Sequence, residues 1–281
     1  MKSFKQYRKD IAPYFHIPKN KSMKGYPGSN TDNPPSALID AQRHLDEPVS
    51  MPQTDTNMYS EQEEMPYQQW INQQDNDERI RDISRRLHKE QKTTIPDMDN
   101  EDHDELHGYT EGSHINRRLF KAHVSGNPEK SKLPLDSVLD KHKLTKDMHV
   151  YSGVQFDPGY VASQHDERHI HLPAYTSTTV DKPTAADFAG KYSESGNDDY
   201  TDHHIIHFHL KKGQKGAYVG EHPDNKDSQQ LSRYPFEQEY ILPRNTKIKV
   251  GEKPDVYHSK IEKKKYHVWH AHVADSESEQ E

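Results

Sequence analysis

The sequence predicts an α+β domain, and three observations predict it. Apolar residues recur at helical spacing from Tyr67 to about His142, strand-type alternation takes over from Met148, and turns marked by Gly or Pro separate the later segments. Helices first and strands afterwards suit an antiparallel sheet with helices gathered beside it, not alternating βαβ units.

Residues 1–66 are expected to stay outside that domain. Residues 1–24 form a basic arm, with Lys2, Lys5, Arg8, Lys9, Lys19, Lys21 and Lys24 against the single acid Asp10. Residues 25–66 reverse the sign, with eight acids against Arg43, and are punctuated by prolines such as Pro34 and Pro35. Little there can form a core, so a disordered linker is expected, with the arm serving as a docking or packaging segment or as a plain solvated terminus. Residues 67–94 predict an amphipathic helix, because Ile80, Ile83 and Leu87 make a narrow apolar stripe that suits packing on the adjoining domain better than a coiled coil. Ile95-Pro96-Asp97 interrupts it.

Residues 95–273 are expected to form the main domain. Helices are placed near Glu101 to His107, Ser113 to His123 with Ser113 as cap, and Pro134 to His142 with Leu135, Val138 and Leu139 on one side. Strands follow at Met148 to Val154, at Ala174 to Thr179, at His204 to Leu210, from Glu237 to Leu242 and from Lys265 to Val273. Ala185 to Ala189 reads as a short helix, and Gly213 to Gly220 as a Gly- and Lys-rich turn. Residues 274–281 are an acidic tail.

Composition limits the function. Of 281 residues, 30% are apolar and 30% charged, too hydrophilic for a compact fold throughout. The formal net charge of −8 disfavours a general nucleic-acid-binding surface. Without Cys there are no disulfides or thiolate metal sites, which fits a reducing compartment or a virion. No apolar run approaches the roughly 20 residues of a membrane span, and Met1 to Asp10 does not lead into the apolar stretch of a signal peptide. An intracellular protein with no membrane partner is expected.

The chemistry concentrates in Phe236-Glu237-Gln238-Glu239-Tyr240-Ile241-Leu242-Pro243. On an extended strand residues two apart leave the same face, so Glu237 and Glu239 are expected to point together into one pocket. Paired carboxylates are costly unless they meet a cationic or electron-poor substrate; a solvated charged edge has the same pattern. Upstream stand Met148-His149-Val150-Tyr151-Ser152-Gly153-Val154, then Ala174-Tyr175-Thr176-Ser177-Thr178-Thr179, then Ala185-Ala186-Asp187-Phe188. This order resembles the mono-ADP-ribosyltransferase family of the Arg-Ser-Glu class, found in toxins and phages. There an aromatic-Arg-Gly strand precedes a Ser-Thr-Ser strand, an Ala-x-x-Phe helix and a Glu-x-Glu strand. Tyr109 to Leu119 also looks like the helical opening of such domains, so the resemblance covers roughly residues 95 to 273.

The resemblance implies N-terminal helices followed by two packed, mainly antiparallel sheets around an NAD cleft. It implies NAD as co-substrate, no metal, and transfer of ADP-ribose to a host or cellular protein. Glu239 would bond the ribose 2′-hydroxyl and stabilise an oxocarbenium-like sugar cation, and Ser177 would hold Glu239 in place. Tyr175, Thr178, Thr179 and Phe188 would line the NAD pocket, with Thr179 keeping a hydroxyl where the family has its second Ser. Glu237 would orient an arginine acceptor and take its proton, since relatives with Glu at this position modify arginine. Tyr234 and Phe236 would touch the acceptor protein, or merely cover the core edge. Gly153 would let the backbone approach the dinucleotide. Ser152 departs from the pattern by replacing the Arg that grips the NAD phosphates, a contact worth about 1.5–3 kcal/mol. Three readings follow: another cation such as Arg168, Arg117 or Arg118 takes over, the enzyme is slow, or the fold is kept for an inactive, structural role, for instance in a phage virion that delivers it to a host cytoplasm.

The chain has 21 histidines, with His165, His169 and His171, and His203, His204, His207 and His209, closely spaced. On the strand, His207 and His209 share one face while Ile206, Phe208 and Leu210 share the other, so structural or surface roles are expected of them rather than zinc ligation.

Overall fold

The structure, a computed structural model, describes residues 65–94, 100–112, 114–154, 156–190, 201–224, 231–259 and 263–274. The expected basic arm, most of the linker, Ser113 and the acidic tail from Asp275 lie outside the described residues.

Among the described residues, five helices gather near the start: α1 (Tyr67–Ile71), α2 (Gln73–Thr94), α3 (Asn100–Glu111), α4 (His114–Val124) and α5 (Pro134–Lys141). A short strand, β1 (Met65–Pro66), precedes them and pairs in parallel with β9, so the last two residues of the segment expected to be a linker join the sheet. Leu87 is fully buried and Ile80 and Ile83 pack on the same cluster, so α2 uses its stripe to join the main core. The start of α5 is set locally. Pro134 supplies a ready-made helical φ, and the Asp136 carboxylate accepts the Leu133 N–H at 2.8 Å.

The strands are β2 (Met148–Val154), β3 (His169–Leu172), β4 (Thr176–Thr179), β5 (Thr201–Leu210), β6 (Ala217–Tyr218), β7 (Glu239–Leu242), β8 (Thr246–Val250), β9 (Asp255–Ser259) and β10 (Lys264–Val273). Two further helices, α6 (Pro158–Ser163) and α7 (Lys182–Gly190), lie between them. Hydrogen bonding links the ten strands into one sheet in the order β1-β9-β10-β5-β2-β4-β7-β6, with β8 branching from β10 to reach β3. The two expected layers are thus limbs of one sheet that curls over its own core. Most pairs are antiparallel, while β5–β10 and β1–β9 are parallel.

Alternation along each strand explains the packing. Ile206, Phe208, Tyr240, Leu242, Ile248 and Val250 fill the core between the limbs. From the opposite face, Ile241 packs under α3, α4 and α5, and Tyr151 and Ile205 pack under α1 and α7. Side chains at positions one residue apart therefore belong to different cores, which is why the register matters to the site. No helix among the described residues is long and apolar enough to cross a membrane.

Candidate active site

Strands β4 and β7 bring the hydroxyl-rich run and Glu239 together. Thr179 stands opposite Glu239, Ser177 opposite Ile241, and on the other side Tyr151 opposite Thr179. Opposed residues share a face, so Tyr151, Thr179 and Glu239 form a row across three strands, with Ser177 one step along on that face. Glu239 is only 5% exposed. A carboxylate taken that far from water is costly and points to a role that needs charge.

Ser177 is held from the helical side. Its hydroxyl lies 2.9 Å from the Tyr109 hydroxyl on α3, and the Asn116 amide on α4 donates to that same Tyr109 oxygen at 3.1 Å. Asn116 also brackets the backbone of Tyr175, donating to its carbonyl at 2.9 Å and accepting its N–H at 3.1 Å. With Asn116 donating to Tyr109, Tyr109 can give its own proton to Ser177, whose hydroxyl then remains a donor.

The two glutamates do not share a strand. Pro235–Glu237 is a turn of 3₁₀ helix, Gln238 adopts the left-handed conformation (φ 51°, ψ 44°), and Glu239 opens β7. Pro235 fixes the φ that starts the turn, and the Gln238 N–H closes it on the Pro235 carbonyl at 3.2 Å. The same-face rule for residues two apart therefore does not apply to Glu237, which is half-buried in the turn. The turn is nonetheless fastened to the hydroxyl strand. Thr179 Oγ1 donates to the Glu237 carbonyl at 2.7 Å, and the Val180 N–H to the Gln238 carbonyl at 3.1 Å.

Other positions singled out by sequence take several places. Thr178 leaves the opposite face from Ser177 and donates to the Tyr240 carbonyl at 2.6 Å. The Tyr175 phenol donates to Asp136 at 2.7 Å, and Asp136 also receives the Arg244 guanidinium, so Asp136 on α5 ties together the approach to β4 and the turn after β7. Burial and the Asp136 carboxylate push the Tyr175 phenol well above its ordinary pKa. Phe188 is buried on α7. Ser152 is buried and donates to the Ser177 carbonyl at 3.1 Å, so it helps align β2 with β4. Gly153 faces α7, where a Cβ would stand 2.2 Å from the Ala185 carbonyl oxygen, so its lack of a side chain lets the helix pack closely on β2. Phe236 is 66% exposed and edge-on to Tyr234, with ring centroids 6.2 Å apart.

The cation beside the site is one the sequence reasoning missed. Arg79, on α2, lies over the Tyr151 ring at 5.7 Å, donates to Asn76 Oδ1 at 2.9 Å and also donates to the Val180 carbonyl. Asn76 in turn donates to Asp181 at 2.8 Å, and Asp181 accepts the Thr184 N–H at the start of α7. Lys182 Nζ is a second cation, 6.0 Å from the same Tyr151 ring, and burial together with the Arg79 charge lowers its pKa. Asn76 and Arg79 stand four residues before Ile80 and Ile83, so the inward stripe of α2 continues into polar residues; that was the available signal. Arg168 is engaged elsewhere, donating to the carbonyls of Val250 and Gly251. Arg118 is exposed and Arg117 half-buried, both on α4. Alongside, Asp77, Ile80, Ser84, Asp181, Phe236 and Gln238 line a cleft of about 350 Å³ between α2 and the loop before β7.

A family model, that of the ADP-ribosyltransferase exoenzymes, matches residues 67–274. The chain belongs to the ADP-ribosyltransferase exoenzyme family. The match starts at α1, so α2 with Arg79 falls inside the matched residues. Similar solved structures include Plx2a, an ADP-ribosyltransferase toxin from Paenibacillus larvae, with 19% identity, a TM-score of 0.47, and coverage of 69% of this chain and 96% of that one. The Clostridium limosum C3 exoenzyme has 17% identity and a TM-score of 0.47, covering 69% and 94%. C3stau2 from S. aureus, solved with NAD, has 21% identity and a TM-score of 0.44, covering 67% and 95%. No curated protein sequence matches this exoenzyme-family chain.

Proposed function

We propose that this chain transfers ADP-ribose from NAD to an arginine side chain of a protein. The observation that carries the proposal is the buried Glu239 carboxylate, aligned with Thr179 and one step from a hydroxyl held by Tyr109. Breaking the bond between ribose C1′ and nicotinamide sends the bonding pair out with nicotinamide and leaves positive charge on the sugar. A carboxylate already in place stabilises that charge without having to reorganise. Glu239 fills that role through the ribose 2′-hydroxyl, and Tyr109 and Asn116 fix Ser177 beside it. The guanidinium nitrogen then bonds to C1′ and releases its proton. Glu237, half-buried in the turn beside the exposed Phe236, takes that proton and orients the planar cation, while Phe236 and Tyr234 meet the acceptor protein.

Arg79 and Lys182 supply the positive charge that position 152 lacks. Arg79→Ala is expected to raise the KM for NAD about 10- to 100-fold, with Arg79→Lys recovering part of the loss and kcat changing less. An unchanged KM would remove Arg79 from the phosphate site.

Radiolabelled NAD incubated with the full chain, and separately with protein extract or agmatine as a small guanidine acceptor, tests the function. Label on protein and on agmatine supports arginine transfer. Hydrolysis of NAD without transfer to any acceptor overturns the acceptor assignment, and neither activity leaves a non-catalytic protein with this fold. Glu237→Gln is expected to cut agmatine labelling about 100-fold while NAD hydrolysis stays within about twofold. Equal loss of both would contradict the role given to Glu237.

A further inference from the structure

A band of histidines at one end of β5 takes no part in this chemistry. His149 stands opposite His209 in the β2–β5 pair, while His270 and His272 stand opposite His207 and His209 in the β5–β10 pair. Opposed residues and residues two apart share a face, so five imidazoles gather on one face of three adjacent strands. Ile206, Phe208 and Leu210 hold the other face in the core. The β5 alternation expected from sequence is therefore present, but it also assembles a cluster across strands that no single segment reveals.

The spacing within the cluster is that of ligands. One ring nitrogen from each of His149, His207 and His209 lies within 4.8 Å of the others, and His149 Nδ1 is 3.0 Å from His207 Nε2. Two nitrogens bound to a tetrahedral ion at about 2.0–2.1 Å stand about 3.4 Å apart, so this pair is already near ligand separation. His149 is exposed, so a small change in its side-chain torsions would let the third nitrogen close in. A supporting chain lies behind. His270 Nδ1 is 2.8 Å from His209 Nε2, and His270 Nε2 is 2.8 Å from Asp255 Oδ2. If His270 donates its Nε2 proton to Asp255, it accepts the His209 Nε2–H at Nδ1, and the His209 Nδ1 lone pair is left for an ion. A carboxylate-to-histidine chain of this sort orients and strengthens a ligating imidazole.

We propose that His149, His207 and His209 bind one divalent transition-metal ion of the zinc, nickel, cobalt or copper class. Imidazole nitrogens without carboxylate ligands select these ions over magnesium and calcium. Three ligands leave a fourth position for water. An ion there ties β2 to β5 two residues from Tyr151, on the strand that carries Ser152.

The test uses the untagged full chain, stripped with chelator and titrated calorimetrically with zinc and, separately, with magnesium; cobalt absorption reports the coordination geometry. One zinc per chain, tetrahedral cobalt bands, no magnesium binding, and a loss of zinc affinity of at least about tenfold in both His149→Ala and His209→Ala are expected. His103→Ala, on α3 away from the cluster, should bind zinc as the parent does. Circular dichroism and melting of the apo variants show that they are folded, and zinc should raise the melting temperature of the parent and of His103→Ala but not of the combined His149→Ala and His209→Ala variant. Absence of stoichiometric zinc binding, or binding that survives the combined His149→Ala and His209→Ala change, would overturn the site.

Discussion

Glu239→Gln is expected to lower NAD hydrolysis and ADP-ribosyl transfer together, by about a thousandfold, while leaving the fold intact. Gln has nearly the same shape and still fits opposite Thr179, but it carries no charge to set against the sugar cation. Loss of one preorganised electrostatic partner typically costs about 10²- to 10³-fold in kcat. The upper end applies because Glu239 is buried, where a charge acts through little intervening water. The KM for NAD should change little, since the interaction strengthens mainly as the bond breaks. Removing a buried charge also relieves a desolvation cost, so the melting temperature should hold or rise. Steady-state NAD turnover and a thermal melt measure both halves. Hydrolysis within tenfold of the parent would take Glu239 out of the catalytic role, whereas an equal loss accompanied by unfolding would leave it a structural residue.

Gly153→Ala is expected to destabilise the protein by about 3 kcal/mol or more. The added methyl would stand 2.2 Å from the Ala185 carbonyl oxygen and 2.4 Å from the Ala189 backbone nitrogen. Both are backbone atoms of α7, so no side chain can swing away and the helix must lift from the sheet. Lifting it opens the packing of Ala185, Ala186 and Ala189 against Tyr151 and Ile205. For a domain of this size the fall in melting temperature should be roughly 10 °C. Because Asp181 heads α7 and is tied to Asn76, NAD binding should weaken as well. A melting temperature within 2 °C of the parent would show that α7 can adjust and that the glycine has another purpose.

Much of this protein is legible in one dimension. The stripe of Ile80, Ile83 and Leu87 and the alternation through Ile206, Phe208 and Leu210 mark which faces enter the core, because burial of apolar area follows the period of each element. Residues 148–154 form β2 with the expected bounds, and 264–273 form β10 within one residue of them. The grouping of Thr179 and Glu239 likewise follows from neighbouring motifs that pair as strands.

Sequence alone therefore determined the α+β order, the strand that bears hydroxyls and the strand that carries Glu239, since each depends on local periodicity. It could not place Glu237, because a Pro-started turn and one left-handed residue break the alternation on which the same-face argument depended. Nor could it find Arg79 above Tyr151, the close packing of α7 on Gly153, or five histidines on one face of three strands. Those depend on strand register and on where a helix lands, and contacts between distant segments are settled only when the whole chain packs.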